Sequence, residues 1–211
     1  MQLMRALIPL KIKWASQVSI TTDEEIFALA AESGCMFVFP GFESLTPDNL
    51  TFLDKPQNIV EKYPEMIEKL HKHNIGVAGF FIVGLPHDNK DVFKNLFLFS
   101  EKNNIEVILI SLFQPTPGTK QYLNWEERNT YKNYQSIIND LPVFLPKGMS
   151  KKEFKKEFVD FYRLVLSDES IDKRLERCKN PGLYFWNKAM QEDYNQSLMD
   201  DWAEGKQNLS R

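Results

Sequence analysis

At 211 residues, 43% apolar and 26% charged, the chain has the material for one packed domain with an appendage, and it is not a disordered polypeptide. A formal net charge of −3 excludes general attraction to nucleic acid or to anionic membrane. The two cysteines, Cys35 and Cys178, lie far apart, which excludes a disulfide framework and any cysteine-bound cluster or structural zinc within these residues.

Residues 1–10 lack the length of a membrane span and the layout of a signal peptide, so a cytoplasmic setting is expected. Lys11 to Ile20 alternates loosely and predicts a strand. Thr22 followed by Glu25 reads as a capping box opening a helix with Ile26, Leu29 and Ala30 on one face. Ser33-Gly34 ends that helix. Cys35 to Phe39 is a buried strand, expected to break at Pro40-Gly41 and to present Glu43 and Ser44. Strand, helix and strand within 30 residues is the pattern of a parallel unit.

The unit repeats. Asn58 to His73 predicts a helix whose ordered part starts near Pro64, with Met66, Ile67 and Leu70 on one side. Val77 to Val83 is a nearly continuous apolar run that ends at Gly84-Leu-Pro86, as a strand buried on both faces does. Gly79 and Gly84 let a backbone approach either a ligand or a neighbouring element. Asp91 to Asn103 is a helix with Val92, Leu96 and Phe99 aligned, and Val107 to Phe113 is a fourth strand, stopped by Gln114-Pro-Thr-Pro-Gly-Thr119.

After Thr119 the pattern changes to helices. Trp125 to Arg128 opens a polar connector in which Arg128 reads as a salt-bridge partner, and Leu141 to Pro146 is a short extended piece. Ser150 and Glu153 form a second capping box before Phe154, Phe158, Phe161, Tyr162 and Val165 at helical spacing. Ser170 reads as the cap of a helix to about Cys178, and Pro181 to Trp202 as a further helix. His71 and His73, two apart on a helix, point to different faces and make a poor metal pair. His87 is a loop histidine, and Cys35 a small core residue.

Four strand ends carry polar or backbone-rich sequence in chain order: Trp14-Ala-Ser-Gln17, Gly41-Phe-Glu-Ser44, Ile82-Val-Gly-Leu-Pro-His-Asp88 and Pro115-Thr-Pro-Gly-Thr119. With Leu70 to Gly76 leading into the third, they resemble the radical S-adenosylmethionine superfamily, in its cobalamin-dependent-type subgroup, from about Lys11 to Thr119. The resemblance implies an α/β fold, a TIM-like partial parallel (β/α) barrel with a helical carboxyl-terminal extension. Residues 1–122 would form the carboxyl-terminal half of that barrel and residues 123–211 the extension.

The family's Cys-x3-Cys-x2-Cys motif for a 4Fe–4S cluster is absent. Cluster ligands would have to come from another chain, as would the first barrel strands. What the resemblance carries over is a cradle for S-adenosylmethionine. Glu43 and Ser44 fall where the family places polar groups against the ribose or methionine part, although Glu43 equally suits a loop cap or a partner for Lys55. Ile82 and Gly84 belong to the strand that packs on the adenine. Pro115, Thr116, Pro117 and Gly118 match the loop that reads the adenine edge, and Ser16 faces the methionine end. The parent reaction would be radical generation for methyl transfer or rearrangement, with cobalamin as an accessory of the subgroup. A non-catalytic nucleoside-binding or interaction module, or an inactive gene fragment, is the alternative. A partner supplying the missing strands, or self-association, follows from the truncated barrel.

Overall fold

The computed structural model describes residues 1–123, 144–177 and 180–194. Four strands form one parallel sheet in the order β1-β2-β3-β4: β1 Trp14–Val18, β2 Cys35–Glu43, β3 Gly76–Val83 and β4 Val107–Leu112. Sequential order of parallel neighbours is the topology of a barrel segment, not of a sheet wound in two directions. The connecting helices are α2 (Glu24–Glu32), α4 (Tyr63–Lys72) and α5 (Val92–Lys102). Two short helices also occur, α1 (Gln2–Leu7) before the sheet and α3 (Pro47–Phe52) after β2.

The core lies between the sheet and these helices. Val38, Phe42, Val77, Phe81, Val83 and Ile108 meet Phe27 and Ala30 of α2, Met66, Ile67 and Leu70 of α4, and Phe93 and Leu96 of α5 in one buried cluster. Gly79 is needed here for packing, because a Cβ would stand 3.1 Å from the Phe42 ring. Of the two neighbours open to it, a ligand or another element, the structure supplies the second. Gly34, with φ +98°, would place a Cβ 2.1 Å from the Ile12 carbonyl oxygen, so a glycine is required where the chain leading into β1 passes.

Several local expectations shift. Asp23, not Thr22, is the N-cap of α2, and the Thr22 hydroxyl donates to the Ser19 carbonyl at 2.7 Å, so the capping box does not form. Phe27 takes the fully buried place expected for Ile26. β2 runs through Pro40 and Gly41 to Glu43 instead of breaking. Pro40 sits opposite Val18, the last residue of β1, so its missing N–H falls where that neighbour stops. The α4 start is as expected, with Pro64 in its first turn.

The carboxyl-terminal helices are α6 (Lys151–Val165), α7 (Asp168–Arg174) and α8 (Pro181–Asp193). The Ser150–Glu153 capping box is present in both directions, at 2.7 and 3.3 Å. Ser167, not Ser170, caps α7, because the Ser167 hydroxyl accepts from the Ser170 amide. Arg128, Leu141, Cys178, Leu198 and Trp202 lie outside the described residues. The aromatic stripe of α6 packs on Phe93 of α5, with Phe154, Phe158 and Phe161 within 6.0 Å of its ring centroid. The opposite face of the sheet is covered at its amino-terminal end by α7 and α8, where Ile171, Leu175 and Leu183 meet Ala78 and Val107 and Trp186 lies against Phe37 and Phe39.

Candidate functional site

The carboxyl-terminal end of that second face stays open. A cleft of about 340 Å³ lies there, lined chiefly by Gln17, Phe39, Gly41, Glu43, Phe80 and Ile82, with Lys55 and Ser111 at its sides. The strand register builds it: Gln17 is level with Phe39, Gly41 with Phe80, and Ile82 with Ser111. The floor is aromatic. Phe39 and Phe80 have centroids 6.2 Å apart, and Trp186 backs Phe39 at 5.7 Å. The volume is within the range of about 300–1,000 Å³ that holds small ligands.

Glu43 ends β2 at φ +65°, a left-handed conformation that a non-glycine residue adopts at a cost of roughly 1–3 kcal/mol. A register irregularity between Gly41 and Glu43 turns its side chain back along the strand. A Cβ on Gly41 would stand 2.8 Å from Glu43 Oε1, so a side chain there would push the carboxylate from the place it takes beside the glycine. Lys55 Nζ lies 3.3 Å from the same oxygen.

The sequence-derived residues divide. Glu43 and Ile82 line the cleft together. Ser44 is buried and turned away: its hydroxyl accepts from the Thr46 amide at 3.1 Å and from Asn49 Nδ2 at 3.4 Å. It borders a separate space of about 50 Å³ that also touches Ile82 and Asp88. Gly84, at φ +85°, is buried in a turn and donates its N–H to Asp88 Oδ2 at 2.8 Å. Ser16 is exposed on β1, with its hydroxyl on the Gln17 carbonyl. Pro115 is buried, whereas Thr116, Pro117 and Gly118 are exposed, and the Thr116 carbonyl accepts from Thr119. None of Ser16, Ser44, Gly84 or residues 115–118 is among the residues lining the cleft.

Residue-by-residue reading did not foresee the burial and pairing of five polar groups, Asn49, His71, Asp88, Glu106 and Arg174. Asp88 accepts from the amides of Gly84 and Leu85 and from Asn49, and burial pushes its carboxyl above the ordinary value despite those donors. Asn49 in turn accepts the His87 amide at 2.9 Å. At the other end of the sheet, His71 Nε2 lies 3.0 Å from Glu106 Oε1, and Glu106 Oε2 accepts the Val77 amide at 2.7 Å. Arg174 is fully buried and bonds the carbonyls of Ile105, Glu106 and Val165. Asn49, Asp88 and Arg174 stand in polar stretches of sequence, where nothing marks them as buried, and only Glu106, beside the apolar run from Val107, carried a signal. Cys35 is buried at the start of β2, and burial pushes its thiol up to about 11. Among the described residues no group of three or more His, Cys, Asp or Glu could hold a metal ion, and no helix is long and apolar enough to cross a membrane.

Against known proteins, the chain is 30% identical over 192 residues to bacteriochlorophyllide d C-12(1)-methyltransferase of Chlorobaculum tepidum, an alignment covering 90% of this chain and 42% of that protein. It is similar to methyltransferases. An uncharacterized methyltransferase of Pyrococcus horikoshii is 24% identical over 168 residues, covering 72% of this chain and 35% of that protein. The radical S-adenosylmethionine methyltransferase TsrM of Kitasatospora setae superposes with a TM-score of 0.62 at 14% identity, over 89% of this chain and 46% of TsrM. That protein has been solved with cobalamin and a [4Fe-4S] cluster, and with tryptophan substrate and a S-adenosylmethionine analogue. No family model matches. The α/β fold is thus that of TsrM's matching part. The chain spans less than half the length of each of these proteins.

Proposed function

We propose that this chain provides a S-adenosylmethionine-binding part of a radical S-adenosylmethionine methyltransferase and works with cluster-bearing residues outside these 211. The observation that carries the reading is the cleft at the strand ends, where Glu43, on a left-handed backbone, stands over an aromatic floor beside Ile82. S-Adenosylmethionine fits these residues. Glu43 can accept two ribose hydroxyls, Gly41 leaves room for the Glu43 carboxylate beside it, and Phe80 and Ile82 offer the adenine an apolar wall that excludes water. When bound, S-adenosylmethionine supplies the methyl group and the radical source of the superfamily.

A 4Fe–4S cluster does not fit the residues present. Cys35 is buried at the end of β2 remote from the cleft, and the sequence has no Cys-x3-Cys-x2-Cys. We place the cluster, and cobalamin, on polypeptide beyond this sequence. The division between barrel segment and helical extension is placed near residue 122, and the setting in the cytoplasm. The same absence of cluster thiolates favours a second reading, a nucleoside-binding module without catalysis of its own.

Anaerobic calorimetry with S-adenosylmethionine tests the proposal on the native chain and on Gly41→Val. Weak binding that the substitution abolishes is expected. A native chain that binds none, or a variant that binds equally well, overturns it.

A further inference from the structure

Lys55 belongs to no strand end and to no sequence motif, yet it reaches the cleft. It lies on the connector between α3 and α4, and that connector is fastened to the end of β2. The Lys55 amide donates to the Leu50 carbonyl at 2.9 Å, and its carbonyl accepts from the Asn58 amide at 3.0 Å. Asn58, 7% exposed, sends Nδ2 to the carbonyls of Gly41 at 2.8 Å and Phe42 at 3.1 Å. The Tyr63 hydroxyl donates to the Phe42 carbonyl at 2.8 Å. The backbone carrying Lys55 is therefore registered against the residues that precede Glu43.

From that anchorage Nζ lies 3.3 Å from Glu43 Oε1. The carboxylate, which lines the cleft, is held over Gly41, and a carboxylate has lone pairs enough to accept from a ligand as well as from one ammonium. The Glu43 side chain is 17% exposed and that of Lys55 41%, so the pair sits at the lip, where the ammonium orients the carboxylate but remains hydrated.

We infer that Lys55 is a positioning residue for diol recognition: it holds the Glu43 carboxylate inward so that both hydroxyls of a ribonucleoside can be met. This rests on the proposed nucleoside site and adds the residue that sets its preference for a vicinal diol. Without Lys55, Glu43 turns outward to water, and the cleft keeps its apolar contacts but loses the ribose preference.

The experiment titrates the native chain, Lys55→Met and Lys55→Arg with adenosine and with 2′,3′-dideoxyadenosine. The native chain prefers adenosine, and added salt reduces that preference. Lys55→Met binds adenosine about fivefold more weakly, the value of a favourable exposed ion pair. Its dideoxyadenosine affinity is unchanged, so the ratio collapses and becomes insensitive to salt. Lys55→Arg restores it. A purely structural role for Lys55 would weaken both nucleosides together, and that result overturns the inference. So does an unchanged ratio in Lys55→Met, which leaves the nucleoside site standing. A native chain that binds neither nucleoside removes site and inference alike.

Discussion

Asn49 Nδ2 donates to Asp88 Oδ1 at 2.7 Å, joining two buried side chains 39 residues apart in sequence. The bond ties α3 to the turn after β3. That turn, Gly84 to Asp88, is closed by its own aspartate, which takes the amides of Gly84 and Leu85. A feature suited to a ligand loop is here a self-satisfied turn. Its glycine serves a positive φ, and a valine at Gly84 would strain the backbone.

Asp88 makes stability pH-dependent. Burial raises its folded pKa above the ordinary 3.8, so the folded state holds the proton more tightly than the unfolded one. Its contribution is then fullest below that value and declines as pH rises through the window between the unfolded and folded pKa. Urea denaturation from acid to neutral pH should show this decline in the native chain, and Asp88→Asn should flatten it. A slope that Asp88→Asn leaves intact assigns the effect elsewhere.

Gly34→Ala should cost at least about 1 kcal/mol, since a Cβ meets the Ile12 carbonyl and the φ is positive. Thermal unfolding measures it. An unchanged midpoint would mean the approach to β1 can shift freely.

Arg174→Met should be more damaging, about 3 kcal/mol, because the carbonyls of Ile105, Glu106 and Val165 lose the guanidinium, and only that of Glu106 keeps a second side-chain donor, Asn187 Nδ2 at 2.9 Å. Burial already lowers its guanidinium to about 10. Chemical denaturation with hydrogen exchange at Glu106 and Val165 would show whether α7 detaches from the sheet first. Native-like protection there would refute the role.

Anaerobic reconstitution with iron and sulfide should leave the chain without a stoichiometric cluster, because its two cysteines cannot replace three thiolates. Metal and sulfide analysis decides it. A cluster that survives replacement of Cys35 would refute the assignment of its ligands to other polypeptide.

β1 pairs with β2 on one side only, among the described residues, and its Ala15, Ser16 and Gln17 are exposed. An open strand edge is a template for pairing. Light scattering over a concentration series should show self-association, or relief of it by a partner that supplies a strand. A monodisperse monomer at high concentration would mean that this edge is covered.

The sequence by itself determined the features set by short-range periodicity and chemistry. The β/α rhythm through Val107, the Ser150–Glu153 capping box and the α6 stripe from Phe154 to Val165 all depend on neighbours within a turn or two. So did the lack of cluster thiolates. The tertiary structure decided what needs distant segments to meet. It settled Gly79 on Phe42 and paired Glu43 with Lys55, while Ile82 alone of the other sequence-derived residues joined Glu43 at the cleft. It also sent the α6 stripe onto α5 and put Trp186 under the sheet's open face. The same holds for His71 with Glu106, Asn49 with Asp88, and Arg174 with the end of β4. Each of these pairs is buried, and burial makes an unpaired polar group costly. The partner is therefore obligatory, but chain topology alone selects which partner is in reach.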